Sequence, residues 1–156
     1  MATIGYEAPT VALTTYLTTT LNALANLTTD LGAEINNETD LCMFMDLELR
    51  LSSIDLSAQT NPNVEVYLIE SLDAGSTYET AGEDGQTLAI EIPSASKICC
   101  ILSPRKSAGA EAKVVVQSLI PIPPGRFKLL PRNMLGVAFS ADTNTLDYRT
   151  YNLESA

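Results

Sequence analysis

The sequence predicts a mainly β protein, an antiparallel β-sandwich that begins near residue 40 and follows an N-terminal helix or arm. First, the hydrophobic period changes from 3.6 residues to two near Leu41. Second, short apolar runs then alternate with turns rich in Gly, Pro, Asn and Asp, with no helical pattern between them. This pattern favours an antiparallel sandwich over a parallel α/β sheet. We therefore divide the chain into a helix or arm, residues 1–39, and a sandwich domain, residues 40–156.

The N-terminal segment from Thr10 to Leu31 carries leucines at helical spacing. They recur at steps of three or four residues and would form one face of a helix: Leu13, Leu17, Leu21, Leu24, Leu27 and Leu31. Pro9 and Thr10 would begin this helix, and Gly32 would cap its end. The threonines between the leucines are β-branched and weak helix formers, so the segment could also run extended.

Eight strands are predicted after this segment, each bounded by turn residues. The clearest is Leu41–Leu51, where every odd position is apolar and Asp46, Glu48 and Arg50 alternate with the apolar residues. The other seven lie at residues 64–68, 88–92, 97–102, 113–119, 126–130, 135–140 and 145–151. Alternation within the strands predicts these core residues: Met43, Met45, Leu47, Leu49, Val64, Val66, Leu68, Leu88, Ile90 and Phe127.

The charge of the chain argues against nucleic acid as a partner. The 156 residues carry a formal net charge of −10, which opposes the phosphate neutralisation on which nucleic-acid binding depends. The charge is uneven, since residues 1–96 contain fifteen acids and one base, whereas residues 97–156 contain four acids and eight bases. Either the two portions interleave in one fold, or they create an acidic and a basic face.

The residue types on which most catalytic and metal sites depend are absent or isolated. Histidine does not occur, which removes the commonest general acid–base and the commonest transition-metal ligand. Cys42, Cys99 and Cys100 show no Cys-x-x-Cys spacing and are interpreted as small buried hydrophobic residues. The acidic loop between Asp73 and Asp84 could bind calcium, but its spacing favours a solvated loop. We therefore expect no enzyme activity, no cofactor and no metal.

The segment Leu119–Lys128 contains Pro121, Pro123 and Pro124. Proline fixes φ and removes a backbone donor, so this segment is rigid. It could be a ligand for an aromatic groove, but a stiff connection between two strands is the favoured interpretation.

Segments along most of the chain resemble small virion proteins of tailed bacteriophages, of the head decoration or cement type. The segments are LTTYLTTTLNALAN at 13–26, VYLIESLDAGSTY at 66–78, IPPGRFKLL at 122–130 and NTLDYRTYN at 144–152. The resemblance implies a β-sandwich of the jelly-roll type and no enzymatic activity. It also implies assembly as copies, often trimers, on the outer surface of the head.

We therefore expect a capsid decoration protein that binds the major capsid protein and stabilises the assembled shell, acting as a homo-oligomer, most simply a trimer. The first residues lack the basic and apolar regions of a signal peptide, and no membrane span is expected. Assembly in the host cytoplasm and location on the virion follow. The alternative is a tail or host-surface virion protein that binds carbohydrate. The lack of Trp, with only three Phe and six Tyr, favours the structural role over carbohydrate binding.

Four leucines of the N-terminal segment are the predicted assembly contact: Leu13, Leu17, Leu21 and Leu24. A leucine stripe of this length would be a liability if it were exposed on a monomer. Either a neighbouring subunit or the capsid covers it, or the chain's own sheet does.

Overall fold

The computed structural model describes residues 4–6, 12–78 and 92–155, which are built mainly from β-strands. No α-helix occurs in these residues, and two 3-10 turns lie at Thr19–Leu21 and Ala95–Lys97. The strands are β1 (Ile4–Tyr6), β2 (Thr14–Leu17), β3 (Ile35–Asn36), β4 (Phe44–Ile54), β5 (Asn63–Ser71), β6 (Ile98–Leu102), β7 (Glu111–Pro121), β8 (Arg126–Met134), β9 (Thr145–Tyr151) and β10 (Leu153–Ser155).

Eight of these strands form two antiparallel sheets of four. One sheet has the order β2-β9-β4-β7 and the other β3-β8-β5-β6, while β1 pairs with β10. The pairs β2 with β9, β3 with β8, β4 with β7 and β5 with β6 follow one another as in a single long hairpin. The first portion of the chain therefore lies strand by strand against the second.

The two sheets enclose a common hydrophobic core. Seven predicted core residues are confirmed as buried: Met45, Leu47, Leu49, Val64, Val66, Leu68 and Phe127. The prediction for Met43 is wrong, since its side chain is 52% exposed. It precedes the first residue of β4 and lies at the end of the sheet. Leu88 and Ile90 lie outside the described residues.

Six of the predicted strands are confirmed, as β4 to β9. The predicted strand at 135–140 is wrong, because this segment is irregular and turns at Gly136 with a φ of +85°. Its apolar side chains Leu135 and Phe139 are nevertheless buried in the core. Most of the predicted strand at 88–92 lies outside the described residues. The proline-rich segment is a short connection, as predicted, with Pro121 ending β7.

The predicted N-terminal helix does not form in residues 12–31. The β-branched Thr14 and Thr15 lie in β2, paired with β9, and positive φ angles at Ala23 and Leu27 are incompatible with a continuous helix. Gly32 is not a helix cap, because no α-helix precedes it among the described residues. The Tyr16 ring instead packs against it, and a Cβ at this position would collide with that ring. The leucines therefore lie on a strand, a 3-10 turn and irregular chain, which bury Leu17, Leu21, Leu24 and Leu31 but leave Leu13 and Leu27 exposed.

Candidate functional site

The leucines predicted as an assembly contact lie mostly inside the protein. Leu17, Leu21 and Leu24 are 6%, 0% and 2% exposed and belong to the core shared by the two sheets. Leu13 is 39% exposed and lies at the surface. Because the chain itself covers Leu17, Leu21 and Leu24, the prediction that these three contact a neighbour is corrected, and for Leu13 it stays a prediction. The alternative, in which the chain's own sheets cover the stripe, fits the structure.

A different apolar surface lies on β7. Val114 and Val116 are each 55% exposed and Leu119 is 45% exposed. β7 is at the edge of its sheet and, among the described strands, pairs only with β4. An apolar edge strand with unpaired backbone groups is a template for pairing with another chain. We call these three side chains and the free edge of the strand the β7 surface.

Two bulges bound the regular part of β7. One register shift follows Met45, opposite Leu119, whose φ is +61°, and the other follows Leu51. Between them, Lys113–Gln117 pairs residue by residue with Leu47–Leu51. Bulges bend a strand and increase its twist, so they discourage edge pairing where they occur. The stretch Lys113–Gln117 is therefore the part of this edge best shaped to accept another strand.

Asp46 stabilises the bulge at Leu119. Arg149 donates to Oδ2 of Asp46 from Nε and Nη2 at 2.9 and 2.7 Å. The Tyr151 hydroxyl and the Leu119 N–H donate to Oδ1 at 2.9 and 3.2 Å. Burial opposes ionisation of Asp46, but the hydrogen bonds from Arg149, Tyr151 and Leu119 outweigh it and lower the pKa of the carboxyl. The ionised carboxylate thus ties this end of β7 to β4 and β9.

Asp46→Asn is expected to destabilise the protein by about 1.5–3 kcal/mol at pH 7, the usual contribution of a hydrogen bond to a charged group. Asp46 accepts all four of these hydrogen bonds. In asparagine an amide nitrogen, which cannot accept, replaces one of the two oxygens, so either the bonds from Arg149 or those from Tyr151 and Leu119 are lost. Because the folded-state pKa is lowered, the stabilisation is present above the unfolded pKa and is lost as the pH falls through the folded value. The difference between wild type and variant should therefore shrink at acid pH.

Urea unfolding at a series of pH values measures this difference. Asp142→Asn is the matched control, since Asp142 is exposed in a loop and the same substitution there should change stability by less than about 0.5 kcal/mol. A difference between wild type and Asp46→Asn that stays constant from pH 7 into the acid range would contradict the assigned role.

The charges at the beginning of β7 neutralise each other. Lys113 is buried and forms an ion pair with Glu111 and a hydrogen bond with the Ser107 hydroxyl. The hydrogen bonds from Lys113 and Ser107 lower the pKa of Glu111. No other acid or base occurs between residues 111 and 121. β7 is therefore a neutral strand in a chain with a net charge of −10.

The acidic and basic portions of the chain interleave in the fold. Among the described residues, ion pairs that join residues 1–96 to residues 97–156 include Arg126 with Glu34 and with Glu38, Arg132 with Glu65, and Arg149 with Asp46. This outcome agrees with the first of the two interpretations of the charge pattern. It follows from the hairpin-like pairing, which places the two portions side by side.

The cysteines differ in burial within the described part of the chain. All three are free thiols; Cys100 is buried, whereas Cys42 and Cys99 are half-buried. The Cys99 thiol lies 3.3 Å from the Val66 carbonyl oxygen and donates to it. Contact with Cys99 and burial both raise the pKa of Cys100, which keeps that thiol protonated. The interpretation as a small buried residue is thus confirmed for Cys100.

The described part of the predicted acidic loop closes on itself. Asp73 accepts hydrogen bonds from the Ser71 hydroxyl and the Thr77 N–H at 2.8 and 2.7 Å. Hydrogen bonds from Thr77 and Ser71 lower the pKa of Asp73. Glu79 and Asp84 lie outside the described residues. Within the described ranges, no three His, Cys, Asp or Glu side chains are grouped so that they could hold a metal ion.

The β7 surface was not predicted from the sequence. The three consecutive valines at 114–116 are a sequence signal, because a half-exposed strand normally alternates polar and apolar residues. Whether such a run is buried on both faces or exposed at an edge depends on strand order, which periodicity does not give.

Comparisons with known proteins give no functional information, so the interpretation rests on the residues and the fold. No protein-family model, curated protein or solved structure matches the chain. Across the described ranges, none of the helical segments is long and apolar enough to cross a membrane.

Proposed function

We propose that this chain is a head decoration protein of a tailed bacteriophage, which binds the outer surface of the assembled capsid and stabilises the shell. The observation that carries the proposal is the strand pairing. β2 to β5 alternate between the two sheets, and each pairs with its counterpart among β9 to β6. This pairing supports a sandwich of the jelly-roll type, an architecture of viral capsid and lectin domains. The resemblance of four segments to decoration proteins points in the same direction.

The proposed mechanism is stabilisation by mass action. A protein that binds the closed lattice, and not separated subunits, shifts the equilibrium toward the assembled shell. Self-association would multiply the attachments to the major capsid protein and raise avidity without stronger single contacts. The protein would assemble in the host cytoplasm and end on the surface of the virion.

The aromatic residues favour this scaffold role over a carbohydrate-binding virion protein. Sugar sites usually present exposed aromatic rings, but every aromatic side chain described between residues 12 and 153 is buried or half-buried. Phe44 and Tyr151 stack on each other, with ring centroids 6.0 Å apart, and the Tyr151 hydroxyl is bound to Asp46. This pair contributes to packing within the sheet and not to an open platform.

Adding the purified protein to empty heads of the same phage tests the proposal. At a free concentration of about 100 times the Kd, binding should stabilise each occupied site by about 2.7 kcal/mol and raise the temperature at which the heads break. Unassembled major capsid protein is the control and should bind much more weakly. Cryo-electron microscopy of virions that shows the protein on the tail, or heads that are neither bound nor stabilised, would rule the proposal out.

A further inference from the structure

The regular edge of β7 is complementary to itself. If two copies of Lys113–Gln117 lie antiparallel with Val115 opposite Val115 of the partner subunit, then Val114 lies opposite Val116 of the partner subunit. The reciprocal pair is identical by symmetry. Lys113 lies opposite Gln117 of the partner subunit in the same register. Two apolar pairs thus meet on the outer face, and no like charges oppose each other.

We propose that two copies of the chain join through β7 in this antiparallel register, so that one sheet of eight strands runs across both subunits. A twofold interface requires one patch that fits itself, and the β7 surface meets that requirement. This inference concerns how copies pair and does not depend on attachment to a capsid. It proposes a dimer in place of the trimer that the resemblance implies.

Charge favours a second copy at this strand. Two chains that each carry −10 repel one another over most of their surfaces. β7 is neutral over residues 111–121 because Glu111 and Lys113 neutralise each other within one subunit. In the proposed register Glu111 would lie opposite Leu119 of the partner subunit, so the acid does not face another acid.

Strand length distinguishes this edge from the others described. Between its bulges β7 offers five regularly paired residues, Lys113–Gln117. The edge strands β2 and β3 have only four and two residues, and a register shift leaves β6 three, Cys100–Leu102. β6 also exposes one large apolar side chain, Ile101, at 52%, whereas β7 exposes three. A longer regular edge offers more backbone hydrogen bonds to an added strand, so among the described edges β7 would form the most such bonds.

Sedimentation equilibrium of the full chain with paired double variants tests both the surface and the register. We expect the wild type to sediment as a dimer. Val114→Lys with Val116→Lys would place lysines opposite lysines and should weaken dimerisation at least about tenfold, the loss expected from two cross-strand pairs. Val114→Glu with Val116→Lys introduces the same number of charges but places acid opposite base. This second variant should remain a dimer, within about threefold of the wild-type Kd.

A control variant and hydrogen exchange complete the test. Ile101→Lys on β6 is the control for the double lysine variant and should leave the dimer intact, and circular dichroism checks that each variant folds. In the wild type, hydrogen exchange within residues 113–117 should slow as the protein concentration rises. A monomeric or trimeric wild type, equal behaviour of the two double variants, or exchange in β7 that is independent of concentration would overturn the proposal.

Discussion

A chain that lacks residues 1–32 is expected to be unfolded, not to be a trimmed sandwich domain. The deletion removes β2, which pairs with β9, and four buried leucines: Leu17, Leu21, Leu24 and Leu31. Burial of each leucine stabilises the fold by about 1.5–3 kcal/mol, so the four together supply about 6–12 kcal/mol. A domain of this size is stable by about 5–15 kcal/mol in total. The loss is therefore comparable to the whole stability of the protein.

Far-UV circular dichroism and urea unfolding measure this outcome. The matched control is deletion of residues 1–13, which ends before β2 and keeps all four buried leucines. We expect the control to keep its β-sheet spectrum and unfold cooperatively, whereas residues 33–156 give the spectrum of a disordered chain. A cooperative transition in the longer deletion would show that the N-terminal leucines are dispensable for folding.

The sandwich strands could be predicted from the sequence because each has its own local signal. Thr145–Tyr151 was predicted to the residue as β9, since alternation and turn residues define both its ends. The helix predicted for the N-terminal segment was wrong, because leucines spaced three or four residues apart are not unique to a helix. Leu17 ends a strand, Leu21 lies in a 3-10 turn and Leu24 follows a residue with positive φ, yet all three reach the same core.

The candidate site was less predictable, because its residues meet through contacts between distant parts of the chain. Alternation places Asp46 on the solvent face of β4, but Arg149 binds it across 103 positions in the sequence. Asp30 is a similar case. Its side chain is fully buried, the Thr20 hydroxyl donates to it, and burial raises the pKa of its carboxyl. No periodicity marks such pairs before the strand order is known.

Leu49→Ala is expected to destabilise the protein by about 2–5 kcal/mol. Leu49 lies in the middle of β4, between Val115 of β7 and Leu146 of β9, and is 1% exposed. Removing most of its side chain leaves a cavity that the two packed sheets can fill only in part. The loss therefore includes both the transfer free energy and the cost of the cavity. Urea unfolding with a two-state fit measures the change in the free energy of unfolding.

Met43→Ala is the control, because alternation places Met43 on the same face as Leu49 while the structure leaves it exposed beyond the end of β4. Its truncation removes little buried surface and should cost less than about 0.5 kcal/mol. The two substitutions thus separate burial from hydrophobic pattern, which is the same at both positions. Equal losses would show that Met43 is covered in solution, whereas a loss below about 0.5 kcal/mol at Leu49 would mean that β4 turns its other face to the core.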